Sequence, residues 1–165
     1  MSIAQCVMSS SVVAPGIWGA DWAWGVPLIV VTVMSHVLGL GLINTGTVRA
    51  FVRARERRHP TAAFVLVMGT MILFATSLHA IEAGMWAFAY QLLGALPDYK
   101  SAMLYSLGAM TTFGNAGVLL EYRWRLLGTI EALGGWLLFG LSTAFMFGMI
   151  QKMWLLERRE QHKIE

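Results

Sequence analysis

Three long apolar stretches constrain this chain more than any other feature of its sequence. They cover residues 26–48, 62–96 and 125–153. Each is at least as long as the roughly 20 residues that a helix needs to cross a bilayer. A segment in lipid must satisfy its backbone hydrogen bonds internally, which favours a helix. The sequence therefore predicts an all-α membrane protein with three transmembrane helices.

The composition agrees with a membrane protein and excludes several other classes. The 165 residues are 57% hydrophobic and 13% charged, whereas soluble domains carry about 25% charged residues. The sequence contains no nucleotide-binding loop, catalytic triad or zinc pattern, and no basic stripe with interleaved aromatic residues. We therefore expect no enzyme activity, no cofactor, no nucleic-acid partner and no soluble substrate, with membrane lipid as the surroundings.

A shorter apolar run lies between the second and third stretches. Residues 102–110 cover about half the length that a span requires. The run is too short to cross the bilayer and too apolar for a solvated loop, so the sequence predicts a re-entrant helix. A Thr-Thr-x-Gly-x-x-Gly turn, residues 111–117, follows it directly. Irregular backbone at membrane depth requires surrounding protein or a water-filled cavity.

This order of a span, a short helix, a turn and a second span resembles the pore domain of the potassium-channel superfamily. In that family the turn is the selectivity filter, Thr-x-Gly-Tyr-Gly-Asp, often with an extra Thr in front. Thr111, Thr112 and Gly114 match it. Trp124 matches the family's tryptophan beyond the filter. The resemblance covers residues 62–153 and is closest to small bacterial two-span channels with an added N-terminal span.

The resemblance implies a homotetrameric cation channel with a filter loop on its central axis. It implies that ions contact a selectivity filter formed by Thr111, Thr112, Phe113, Gly114, Asn115, Ala116 and Gly117. It also implies gating by the inner helix, with a hinge at Gly134 and Gly135 and with Phe145 as a hydrophobic constriction. Backbone carbonyls replace the water shell of the ion in such filters.

Three positions of the filter depart from the family pattern. Asn115 replaces the aromatic residue, Ala116 the second glycine and Gly117 the acid. Because an L-residue at positive φ costs roughly 1 kcal/mol or more, we expect the outer filter to be rearranged. Carbonyls of Thr112 and Phe113 would then hold the monovalent cation. We expect passive conduction of K⁺ with weak selectivity over Na⁺.

Arginines of the first loop set the predicted orientation. The loop, residues 49–59, contains five arginines and one glutamate, and cytoplasmic loops carry such an excess. We therefore expect the N-terminus outside and the C-terminus in the cytoplasm, in a bacterial inner membrane. The expected segments are extracytoplasmic residues 1–25, a peripheral first span with its basic cytoplasmic loop at 26–60, a pore module at 61–153 and a cytoplasmic tail at 154–165.

Ionisable residues within a span are candidates for function. His79 and Glu82 are three residues apart and share a helix face. We expect both in the outer third of the second span, at the same depth as Glu131. Such a cluster can brace the helices, sense protons or bind a metal. Di-iron helices use more carboxylates than this chain offers here, so no resident metal is predicted.

Two further expectations concern residues outside that cluster and a different function. His36 stands alone in the first span and is expected to contact Asn44 or a backbone carbonyl. The alternative to a channel is a non-conducting membrane subunit. It would use the pore fold for assembly, or for a metal or proton site at His79, Glu82 and Glu131.

Overall fold

Four helices joined by short connections form the described structure. The computed structural model describes residues 17–55, 60–114 and 117–161. Helix α1 is Ile17–Arg55, α2 is Pro60–Leu92, α3 is Tyr99–Met110 and α4 is Arg125–Gln161, with one 3₁₀ turn at Tyr122–Trp124. Three segments are long and apolar enough to cross a membrane: Gly19–Thr47, Phe64–Leu92 and Tyr122–Leu155. The predicted all-α membrane architecture with three candidate spans is confirmed.

Helix α1 begins earlier than the sequence predicts. It starts at Ile17 and contains Pro27, so residues 17–25 are helical. Pro27 removes one hydrogen-bond donor, which helices in membranes tolerate. Trp22 and Trp24 remain exposed on the first turns. Residues 1–16 and 56–59, which include part of the basic loop, lie outside the described residues.

Helix α2 ends at Leu92 rather than at residue 96, because Gly94 terminates it. Gly94 has φ +64°. Its N–H donates to the Gln91 carbonyl at 3.1 Å, and the Ala95 N–H donates to the Tyr90 carbonyl at 2.9 Å. This pair of bonds is the Schellman motif, which satisfies the last carbonyls of a helix and favours glycine at the left-handed position.

Helix α3 begins at a side-chain cap and packs through one face. The Asp98 carboxylate accepts hydrogen bonds from the hydroxyl and the backbone N–H of Ser101, an N-cap arrangement. These bonds lower the pKa of Asp98. The buried residues of α3 face α2 and α4; they are Ala102, Tyr105, Ser106, Gly108 and Ala109. The short helix is therefore held between two long ones.

Helix α1 lies against both α2 and α4, which contact each other much less. Two hydrogen bonds, Asp21 to Leu127 and His36 to Ser142, each join positions 106 apart. Because the offset is the same for both pairs, α1 and α4 run parallel to each other, and residues 106 positions apart lie side by side. The first span, expected at the periphery, is in this chain the common packing partner of the other two.

Candidate functional site

The backbone after α3 alternates in handedness at the predicted filter. Thr112 has φ +57° and Gly114 has φ +88°, while Phe113 between them has no positive φ. Gly117 has φ +80°. Glycine adopts such values easily, but a β-branched residue does so rarely. Asn115 and Ala116 lie outside the described residues.

Hydrogen bonds fix the direction of the peptide groups in this turn. The Thr112 N–H donates to the Ala109 carbonyl at 3.1 Å, and the Gly114 N–H donates to the Gly108 carbonyl at 3.2 Å. In a trans peptide the carbonyl points opposite to the following N–H. The carbonyls of Thr111 and Phe113 therefore both point away from α3. Phe113 is 83% exposed.

Glycines bring the backbones around α3 into close contact. A Cβ on Gly108 would lie 2.6 Å from the Gly114 carbonyl oxygen, and a Cβ on Gly135 would lie 2.6 Å from that of Met110. A Cβ on Gly128 would collide with the Tyr105 hydroxyl. Gly128 and Gly135 therefore allow α3 to lie close to α4, and Gly108 allows the turn to fold back onto α3.

The predicted gating residues all have packing contacts. Gly134 and Gly135 lie within the continuous helix α4, where a Cβ on Gly134 would lie 3.4 Å from Ile29. Phe145 packs against an apolar cluster of Val67, Met71, Met149 and Met153. The hinge and the constriction stay predictions.

Three helices meet at a polar cluster of His36, His79, Glu82 and Ser142, in which His79 is partly exposed and the other three are buried. Nδ1 of His36 lies 2.8 Å from Oε1 of Glu82, and Nδ1 of His79 lies 3.4 Å from Oε2. The Nε2 atoms of His36 and His79 lie 3.0 and 3.1 Å from the Ser142 hydroxyl oxygen. Oε2 of Glu82 is buried and accepts no hydrogen bond from the described residues. We call these four residues the His-Glu cluster.

The His-Glu cluster differs from the predicted cluster in membership. The expectation that His36 stands alone is wrong, since both of its ring nitrogens have side-chain partners. Leu78 is the middle residue of the apolar segment Phe64–Leu92, so His79 and Glu82 lie one and four residues beyond its middle. Their depth in a bilayer stays a prediction. A histidine in an apolar span is itself a functional signal, and it applied to His36 as much as to His79.

Glu131 belongs to a separate polar group, which it forms with Tyr90 of α2 and Ser106 of α3. Its carboxyl group is fully buried. The Tyr90 hydroxyl donates a hydrogen bond to it at 2.5 Å, and the Ser106 hydroxyl also lies within hydrogen-bond distance. The Ser106 oxygen also lies 2.9 Å from the Ala83 carbonyl oxygen. Ser106 has one proton for these two contacts, so both are hydrogen bonds only when Glu131 is protonated.

Asp21 and Trp124 mark the start of α4. The Asp21 carboxylate is buried and accepts a hydrogen bond from the Leu127 backbone N–H at 3.2 Å, which caps the first turn of α4 from a different helix. Trp124 is buried with the Arg123 guanidinium 4.6 Å from its ring centroid. Asp21 of α1 therefore joins that helix to the start of α4.

The fold is a helical one with three segments long and apolar enough to cross a membrane and with buried ionisable side chains between them. No protein-family model matches the sequence, and comparisons with curated proteins and with solved structures give no match either.

Proposed function

We propose that the chain is one subunit of a homotetrameric channel that conducts monovalent cations passively through residues 111–117. The direction of the carbonyl groups in the turn carries this proposal. The carbonyls of Thr111 and Phe113 point to the same side, away from α3. A cation that leaves water needs several such oxygens around it. One chain supplies one edge of that ring, and cyclic symmetry supplies the others.

The position of the turn gives further support. It follows the C-terminus of α3, and the partial negative charge of a helix C-terminus favours a nearby cation. Re-entrant insertion of α3 is part of the proposal, since irregular backbone at membrane depth must be covered. Leu104 and Leu107 are exposed on the free face of α3, as is Phe113 just after it. A neighbouring subunit would cover these side chains.

The family resemblance supplies the tetrameric symmetry and the ion type. The departures at Asn115, Ala116 and Gly117 support weak discrimination between K⁺ and Na⁺ in this proposal. The basic loop supports an N-terminus outside and a C-terminus in the cytoplasm of a bacterial inner membrane. Cys6, the single cysteine, offers a probe of this orientation. A membrane-impermeant thiol reagent should label it in intact cells, whereas His162→Cys in a Cys6→Ser background should react only after lysis.

Ion flux through liposomes containing the purified full chain tests the proposal. We expect K⁺ and Na⁺ efflux, and a bi-ionic reversal potential far from the K⁺ equilibrium value. Gly114→Ala should abolish flux because φ +88° strains any L-residue. The matched control is Gly69→Ala, whose added Cβ meets no atom within 4 Å. A tetramer without flux would favour the non-conducting subunit, and a monomer in mild detergent would contradict the proposed pore.

A further inference from the structure

The His-Glu cluster joins all three long helices at one point. His36 comes from α1, His79 and Glu82 from α2, and Ser142 from α4. His36 and Glu82 are fully buried. Burying a carboxylate without full compensation is expensive, so the arrangement requires a chemical account beyond apolar packing.

Counting protons shows that the neutral histidines leave this cluster one donor short. If both imidazoles carry their proton on Nδ1, facing Glu82, then both Nε2 atoms are acceptors. The Ser142 hydroxyl has one proton and can satisfy only one of them. If both imidazoles instead carry their proton on Nε2, the Ser142 hydroxyl oxygen can accept two hydrogen bonds through its two lone pairs. Both Nδ1 lone pairs then face the Glu82 carboxylate with nothing between them. If His36 carries its proton on Nδ1 and His79 on Nε2, the three shorter contacts are hydrogen bonds. The Nδ1 lone pair of His79 then still faces Oε2 of Glu82.

A cation bound between the two Nδ1 atoms and the Glu82 carboxylate would remove the unfavourable contact of lone pairs that arises when both histidines carry their proton on Nε2. Ligand atoms of His36, His79 and Glu82 all lie within 4.8 Å of one another. The Nδ1–carboxylate distances are 2.8 and 3.4 Å. Tetrahedral zinc with bonds of about 2.0–2.2 Å places its ligand atoms roughly 3.3 Å apart. The two nitrogen–oxygen distances are therefore near the spacing that such an ion needs, and the whole set lies within 4.8 Å.

The outer contacts also match a metal centre. A histidine that binds a metal through one nitrogen usually donates its other N–H to an oxygen, and here both Nε2 atoms face Ser142. Oε2 of Glu82, which accepts no hydrogen bond from the described residues, is available as a ligand. Two histidines and one carboxylate form a set that zinc accepts, with one position left for water.

We propose that His36, His79 and Glu82 bind a divalent transition-metal ion such as Zn²⁺, with Ser142 as a positioning residue for both imidazoles. The ion would tie α1 to α2 at the centre of the candidate spans. This site is independent of the proposed pore, since it shares no residue with the turn after α3.

Metal titration of the full chain in detergent tests this proposal without any flux measurement. Protein stripped with a chelator is dialysed against Zn²⁺ and analysed for metal content, and Co²⁺ is used as a spectroscopic probe. We expect one ion per chain and visible d–d absorption of tetrahedral Co²⁺. His36→Gln, His79→Gln and Glu82→Gln should each lower the affinity at least a hundredfold. Ser142→Ala should lower it about 10- to 100-fold while one ion per chain still binds at saturation.

Two controls separate the site from adventitious binding. Glu131→Gln removes the other fully buried glutamate and should leave the affinity unchanged. His59→Gln combined with His162→Gln removes the remaining histidines of the chain and should also leave it unchanged. The proposal is overturned if the stripped wild-type chain binds no stoichiometric metal. That result is expected if the cluster holds only a proton. The proposal is equally overturned if folded His79→Gln and Glu82→Gln retain the metal.

Discussion

Oε1 of Glu82 on α2 lies 2.8 Å from Nδ1 of His36 on α1, with both side chains fully buried. The two residues are 46 positions apart. Their contact joins antiparallel helices in the middle of the candidate spans, where water does not compete for the hydrogen bond. Breaking it by removing one partner should therefore cost more than the loss of an exposed pair.

Glu82→Leu should destabilise the metal-free chain by about 1–3 kcal/mol, because Nδ1 of His36 loses its only observed partner while remaining buried. Glu82→Gln retains an amide oxygen in the same place and should cost less. Thermal unfolding in detergent, followed by circular dichroism, measures the difference. Equal stability of the Leu and Gln variants would show that the hydrogen bond contributes nothing.

Asp21→Ala should fray the first turn of α4, since the carboxylate accepts the Leu127 N–H. Removal of a helix cap typically costs about 1 kcal/mol. Asp21→Asn retains an acceptor and should restore most of this stability. Amide hydrogen exchange at Leu127 reports the effect directly. Faster exchange in the Ala variant but not in the Asn variant is expected, and unchanged exchange in both would argue against the cap.

Gly135→Ala should displace α3, because the new Cβ would lie 2.6 Å from the Met110 carbonyl oxygen and 2.7 Å from its Cα. Backbone cannot move aside as a flexible side chain can, so we expect a loss of roughly 1–3 kcal/mol. Gly140→Ala on the same helix meets no atom within 4 Å and should be neutral or slightly stabilising. Comparison of the two unfolding temperatures checks the prediction, which a tolerated Gly135→Ala would contradict.

Thr112→Val keeps the shape of the side chain but removes the hydroxyl. If Thr112 faces permeating ions, this variant should lower the single-channel current while the tetramer persists in mild detergent. Thr112→Gly should relieve the strain of φ +57°, worth of order 1 kcal/mol, and should also lower the current. Currents equal to wild type in both variants would place Thr112 away from the ion path.

The pattern of apolar residues determined the three candidate spans and the short helix between the second and third. Apolar length decides whether a segment can lie in a bilayer, and this property is local to each stretch. Helix ends were less well determined. Gly94 ends α2 through a left-handed turn, and the glycine signal was available in the sequence. Pro27, in contrast, does not mark the start of α1, because a helix in this setting tolerates the lost donor.

Only the tertiary structure decided which polar residues meet. The sequence grouped His79 and Glu82 by their spacing on one helix, which the structure retains. It gave no register between helices, so the 106-residue offset that brings His36 to Ser142 and Asp21 to Leu127 was not predictable. For the same reason, the sequence grouped Glu131 with His79 and Glu82, whereas its observed partners are Tyr90 and Ser106. Spacing along one helix follows from its pitch, whereas contact between helices depends on how residues of different helices pack, as the Ile130 side chain does against Gly25.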